Sequence, residues 1–423
     1  MIRRFGGLAA LPFISLLIPF LLLPVISRVA TKSEVAALGI GDSTGAVIAL
    51  IVAYGWPLTG PARVARSGRV RGLRELAMSV LPRLIILSMA ALPGALAVIV
   101  LAPSGERWLA LIAMVSAAVT GLSPSWYFIG RGDAVRLAIY ETIPRMAAGL
   151  VALFLVLSTR NPFWYPIPIL VSTVGAQTVF LFVSGVATWL RKRSVWRSAW
   201  RDLRAETPAA LAMVAGGVYS TATVSLVAIG APTGVVAVYG MTDRLFKASL
   251  TAIVSAANAV QGWVSEHGGH ETQRARAVRA VALLCGVGIV GGAGIALLGP
   301  LFTGWFFGHQ YRIDFLTSSA LGIAFVAVAA STGVGRMVLV PFGKVGRVTV
   351  STVMGALIGA PAIVVGSATF GVPGAAVAFA MSEVVVVLMQ VGGLASLRLR
   401  AATRQRTVSL PPDDSNIGRR PEG

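Results

Sequence analysis

Tyr239, Asp243, Arg244 and Lys247 share one apolar stretch, residues 234–262. A charge at the centre of a helix in hydrocarbon costs about 2.5–3.5 kcal/mol on insertion scales, so each needs a partner or a water-filled cavity. At 1.5 Å per residue Asp243 lies about 14 Å from the outer end of the stretch, near the midplane. Asp243 and Lys247 are four residues apart and can pair on one helix face. Arg244 is turned from them by about 100° and is expected to keep a net positive character. The group is either a cation site lining a cavity or a self-neutralising cluster at a helix contact. Glu383 stands near the middle of another apolar stretch with no basic neighbour in sequence. Three states suit it: a protonated acid, a partner for a charge on another helix, or an ion-coupling carboxylate.

The other buried or near-buried charges read more plainly. Glu141 and Arg145 are an i, i+4 pair suited to a structural bridge. Arg83 and Arg336 are expected to snorkel towards a membrane face. Asp42 precedes the second apolar stretch as an N-cap. Pro12 and Pro19 fall on one face of the first stretch and, with Pro24, bend it.

Enzyme chemistry finds little support. His267, His270 and His309 do not form a zinc pattern, and Cys285 is the single cysteine, inside an apolar stretch. There is no phosphate-binding glycine loop. No external segment exceeds about a dozen residues, too short for a membrane-bound transferase domain. No cofactor and no metal are expected, and transport is the remaining class.

The elements that position these residues follow from composition. Over 423 residues the chain is 56% hydrophobic and 12% charged, with a mean hydropathy of +0.80, which describes an all-α integral membrane protein. About twenty apolar residues cross a bilayer. Twelve such stretches can be placed: 8–26, 39–60, 76–102, 108–129, 137–158 and 167–190, then 208–230, 234–262, 278–300, 316–340, 346–367 and 372–396. With the N-terminus in the cytoplasm, Lys and Arg are about five times more frequent inside than outside, as the positive-inside rule requires. Both termini are then cytoplasmic, and topology accounts for most of the net charge of +20 without a nucleic-acid partner. Arg3 and Arg4 before an apolar run imitate a secretory leader, but no small-residue cleavage pattern follows, so the segment reads as a retained first span.

The most basic internal segment, Arg191 to Glu206, divides the spans six and six. The expected organisation is a six-helix bundle over 1–190, a cytoplasmic linker over 191–207, a second six-helix bundle over 208–400 and a disordered tail over 401–423. Gly130-Arg131 and Gly343-Lys344 open corresponding loops in the two halves. Parallel repeats of this kind place a substrate path between them.

The order of several motifs resembles that of the polysaccharide (Wzx-type) flippases of the multidrug/oligosaccharidyl-lipid/polysaccharide (MOP) superfamily. Leu22 to Arg66 has an apolar segment ending Pro24-Val25-Ile26-Ser27-Arg28, then Glu34 before the second span and basic residues closing it. Ser123 to Asp133 is similar to that family's P-x-W-x-x-x-G loop, and Leu298 to Tyr311 and Gly371 to Glu383 are similar to segments of its second half. The resemblance covers about residues 1–400. It implies twelve helices in two bundles and alternating access that moves an undecaprenyl-pyrophosphate-linked oligosaccharide from the inner to the outer leaflet of a bacterial cytoplasmic membrane. It also implies polysaccharide polymerase and export proteins as partners, besides membrane lipid. Arg28 and Arg63 match the family's Arg positions at the ends of the first two spans, while Arg244 and Lys247 supply positive charge at mid-depth. Guanidinium groups suit a pyrophosphate.

Two rivals within the superfamily are a lipid II flippase and a small-molecule exporter coupled to a cation through Asp243 or Glu383. The major facilitator class is disfavoured because Gly60 to Arg74 contains no Asp where its loop motif requires one. A scaffold in an envelope-synthesis complex is the non-transport alternative.

Overall fold

The computed structural model describes residues 18, 20–190, 192–265, 270–341 and 343–408. These residues are mostly helical, with no strand among them. Eight helices are long and apolar enough to cross a membrane, or nine with one bent pair. Three further segments complete the expected set. They are the short apolar helix Phe20–Val29, the charge-bearing helix Thr233–Ser265, and the second of two helices that meet at Gly371, where φ is +64°.

In chain order the helices are α1 (Phe20–Val29), α2 (Lys32–Arg66), α3 (Arg69–Leu101), α4 (Ser104–Arg131), α5 (Ala134–Thr159) and α6 (Pro162–Val183). There follow α7 (Arg193–Thr221, continuing after a 50° bend as Thr223–Gly230), α8 (Thr233–Ser265) and α9 (His270–Phe307). The last three are α10 (Phe315–Leu339), α11 (345–370) and α12 (372–408). Residues of the expected linker are helical from Arg193, and the backbone is helical through Val408. Pro12, Pro19, Arg191, His267 and the tail beyond Val408 lie outside the described residues.

Capping sets where α2 begins. Thr31 N–H donates to Glu34 Oε2 at 2.7 Å and Glu34 N–H donates to Thr31 Oγ1 at 3.2 Å, a capping box that satisfies two orphan donors at once. The helix therefore starts at Lys32, not at 39. Asp42 is consequently not an N-cap but lies in the third turn of α2, inside the bundle. The helix breaks at Tyr54 (φ 54°) and restarts at Trp56 with Pro57 in its first turn.

Arg83 differs from its expected snorkelling pose. It is 2% exposed, and its Nη2 donates to the carbonyls of Gly121 at 2.5 Å and Ser123 at 2.9 Å. The α-helical part of α4 ends at Val119 and resumes at Ser125, and the guanidinium serves the carbonyls freed between them. Glu141 likewise does not act as half of a bridge along its own helix. It sits in a wider π-type turn of α5 (Ala138–Thr142) and accepts a hydrogen bond from Ser123 Oγ. Arg336 is exposed, as expected, and donates to Asn258 Oδ1 at 3.2 Å.

Small residues set the helix spacing. A Cβ at Gly41 or Gly45 would fall 2.2 Å from Ala110 O or 2.3 Å from Met114 O, so α2 and α4 cross with their backbones nearly touching. Gly292 of α9 and Gly322 of α10 interlock in the same way. Lipid offers no hydrophobic drive for helices to associate, and close packing of small residues takes its place. The largest apolar cluster joins α1, α2 and α4 to α7, α8, α10 and α12, with Leu22, Ile26, Leu38, Tyr239 and Phe246 among its members. This packing brings α2 against α8.

Candidate functional site

Gly39 of α2 and Gly240 of α8 face each other, and a Cβ built on Gly39 would lie 3.9 Å from Gly240 Cα. About one helix turn beyond each glycine stand Asp42 and Arg244, and Arg244 Nη2 donates to Asp42 Oδ2. The expectation that Arg244 is left with unbalanced positive charge is therefore corrected: a carboxylate 202 positions away in sequence pairs with it. The guanidinium also lies over the ring of Tyr165, 5.7 Å from its centroid.

The pairing expected along α8 is present. Lys247 Nζ is 2.6 Å from Asp243 Oδ2. The other carboxylate oxygen of Asp243 accepts from Thr223 Oγ1 at 2.8 Å. Bending of α7 at Ala222 supplies the remaining partners, since a bend leaves backbone carbonyls without helical donors. Thr221 O accepts from Ser43 Oγ at 2.9 Å and from Lys247 Nζ at 3.4 Å. Two acids and two bases from α2 and α8 thus meet beside neutral partners from α7, with Asp243 buried and Lys247 about one-third exposed.

These groups line a cavity of about 400 Å³ that α1, α2, α7 and α8 enclose with Tyr165. Lys247 also lines a second cavity, of about 210 Å³, shared with Glu383 of α12 and with Tyr219, Ser331 and Thr352. Glu383 is 9% exposed and has no hydrogen bond or ion pair among the described residues. Tyr219 hydroxyl and Ser382 Oγ are hydrogen-bonded beside it. Lys247 is the one side chain of the charged cluster that reaches both spaces.

Arg28 and Arg63 line neither cavity. Arg28, at the end of α1, donates from Nη2 to Trp305 O of α9 at 3.4 Å. Arg63, near the end of α2, pairs through Nη1 with Glu206 of α7 at 2.9 Å and lies 4.0 Å from Glu75 of α3. Glu206 is 4% exposed and also accepts from Thr59 Oγ1 at 2.5 Å, so Arg63 fastens three helix ends together. Among the described residues no group of three His, Cys, Asp or Glu is placed to hold a metal ion.

Asp42 is the functional candidate that sequence reasoning missed. Its signal was the Thr31-x-x-Glu34 capping box, which starts the helix early enough to carry Asp42 below the membrane surface.

No protein-family model matches the chain. Its fold is similar to that of the lipid II flippase MurJ in an inward closed conformation, with a TM-score of 0.71 at 12% identity over 98% of this chain and 94% of that one. It is also similar to an inward-facing multidrug resistance MATE family transporter of the MOP superfamily, with a TM-score of 0.63 at 15% identity over 94% of this chain and 96% of that one. The fold is thus one that the lipid II flippase and this MATE family transporter share. In sequence the chain is similar to a protein from Shigella dysenteriae named "Putative O-antigen transporter", 20% identical over 352 residues, 81% of this chain and 87% of the relative.

Proposed function

We propose that the chain is a flippase that carries an undecaprenyl-pyrophosphate-linked oligosaccharide from the inner to the outer leaflet of the bacterial cytoplasmic membrane. It works by alternating access between two six-helix bundles, residues 1–190 and 208–400, joined through 191–207, with both termini in the cytoplasm. The observation that carries this reading is the cavity in which Arg244 and Lys247 stand between α2, α7 and α8. Its volume is within the range of small-ligand pockets, enough for a pyrophosphate and the adjoining sugar. Arg244 and Lys247 bind the pyrophosphate or an anionic glycan, and Asp243 with Asp42 tunes their charge. Arg28 and Arg63 stand at the ends of α1 and α2, where the head group is met on release and on loading. The glycan occupies water-filled space, and the polyprenyl tail stays in lipid. Polysaccharide polymerase and export proteins act on the delivered product.

The deciding experiment places purified protein in liposomes with a fluorescent polyprenyl-pyrophosphate oligosaccharide and follows its accessibility to an external quencher, with a cationic dye as a parallel cargo. Protein-dependent movement of the lipid-linked sugar without the dye supports the flippase. Dye movement without lipid movement rejects it in favour of a cation-coupled exporter.

Glu383 fits ion coupling within either reading, because it is a buried carboxylate, without a hydrogen-bond or ion-pair partner among the described residues, that faces a cavity next to Lys247. Glu383→Gln is expected to eliminate the dependence of transport on a proton or sodium gradient while leaving downhill equilibration. Transport that responds to the gradient as the unmodified protein does rejects that role.

A further inference from the structure

The first part of α7 presents two faces. Val195, Ala199 and Glu206 are buried, and the first two join a cluster with Trp56, Leu76, Trp126 and Phe180. The opposite face carries Arg193, Trp196, Arg197, Trp200, Arg201 and Arg204, all exposed. Trp196 and Trp200 are 46% and 48% exposed.

The four guanidinium groups make no hydrogen bond or ion pair among the described residues. The acids of the same segment are turned away from them. Glu206 is held by Arg63 and Thr59 on the buried side, and Asp202 is only partly exposed. The outer face is therefore cationic and aromatic without an internal counter-charge.

Its depth is fixed by what it touches. Trp196 Nε1 donates to Leu190 O at 2.7 Å, at the end of the short helix Val186–Leu190 that follows α6. Val195 and Ala199 share a cluster with Leu76, near the start of α3, and Phe180, near the end of α6. On the topology proposed above, the segment runs along the inner rim of the protein, where lipid phosphates lie. Half-exposed indoles prefer that level, Arg stems cover apolar surface while their heads reach phosphate, and a run of basic residues beside a span attracts anionic lipid. Planar guanidinium groups pair with phosphate oxygens through two parallel hydrogen bonds.

We propose that the outer face of residues 193–204 is a docking surface for the phosphate head groups of anionic membrane lipids. It is separate from the transport cavity and goes beyond the proposed transport activity.

The test titrates fluorescent phosphatidylglycerol, and in parallel phosphatidylcholine, into full-length protein in detergent micelles. The variant R193Q/R197Q/R201Q/R204Q is expected to bind phosphatidylglycerol about tenfold more weakly with phosphatidylcholine binding unchanged, and the corresponding four-Lys variant to keep most of the affinity. Equal phosphatidylglycerol affinity in the Gln variant and the unmodified protein overturns the proposal, as does an unmodified protein that does not prefer phosphatidylglycerol. Should the Gln variant fail to fold, brominated phosphatidylglycerol serves instead. It is expected to quench the unmodified protein more than the W196F/W200F variant, and equal quenching of the two overturns the proposal. Binding of an acidic peptide in preference to phosphatidylglycerol at this face also overturns it.

Discussion

Arg244→Ala is expected to reduce movement of the lipid-linked sugar by about tenfold to a hundredfold in liposomes at matched protein levels, corresponding to about 1.5–3 kcal/mol for a lost charge-assisted hydrogen bond. Arg244→Lys keeps the charge but not the planar fork and is expected to retain part of the activity. Asp42→Asn separates two explanations of the loss. It removes the carboxylate that ties α8 to α2 but leaves the guanidinium in the cavity. If Arg244 served only to join the helices, Asp42→Asn would match Arg244→Ala. If it binds cargo, Asp42→Asn is the milder change. Normal flipping by Arg244→Ala removes Arg244 from the cargo site.

A large expected effect on stability lies away from the cavity. A Cβ built on Gly322 falls 2.5 Å from Gly292 O, and one built on Gly292 falls 2.6 Å from Gly322 O. Backbone cannot move aside as a flexible side chain can, so Gly322→Val must push α10 from α9. Overpacking of this kind costs about 1–3 kcal/mol, and the detergent-solubilised variant is expected to lose several degrees in Tm. Gly294 belongs to the same helix as Gly292, but a Cβ there meets nothing within 4 Å. Gly294→Ala should leave Tm nearly unchanged, and equal Tm values for the two variants would contradict the packing account.

The helical architecture was legible because a bilayer demands about twenty apolar residues per crossing, and that demand is written in composition. The pairing of Asp243 with Lys247 was legible for a similar reason, since helix geometry alone brings i and i+4 together. Other features depend on contacts that no local rule specifies. Asp42 meets Arg244 only because the fold packs α2 against α8 where Gly39 faces Gly240. Arg83 turns inward because α4 is interrupted near Gly121 and Ser123, freeing carbonyls for it. The bend at Ala222, which gives Lys247 the carbonyl of Thr221, has no Pro or Gly at the break to announce it. Glu383 lacks a basic neighbour in the chain and makes no hydrogen bond or ion pair among the described residues.

With Arg244 as the proposed cargo-binding group, the Asp42–Arg244 contact would make binding at this cavity a counter-ion exchange. An anion that takes the Nη2 donor of Arg244 displaces Asp42, and the carboxylate it displaces belongs to a different helix. Arrival of negative cargo and unfastening of α2 from α8 are then one event. A cargo without negative charge can occupy the space and leave the fastening intact, so selectivity for a phosphate-bearing lipid would arise from which molecules can undo the contact as well as from which ones fit.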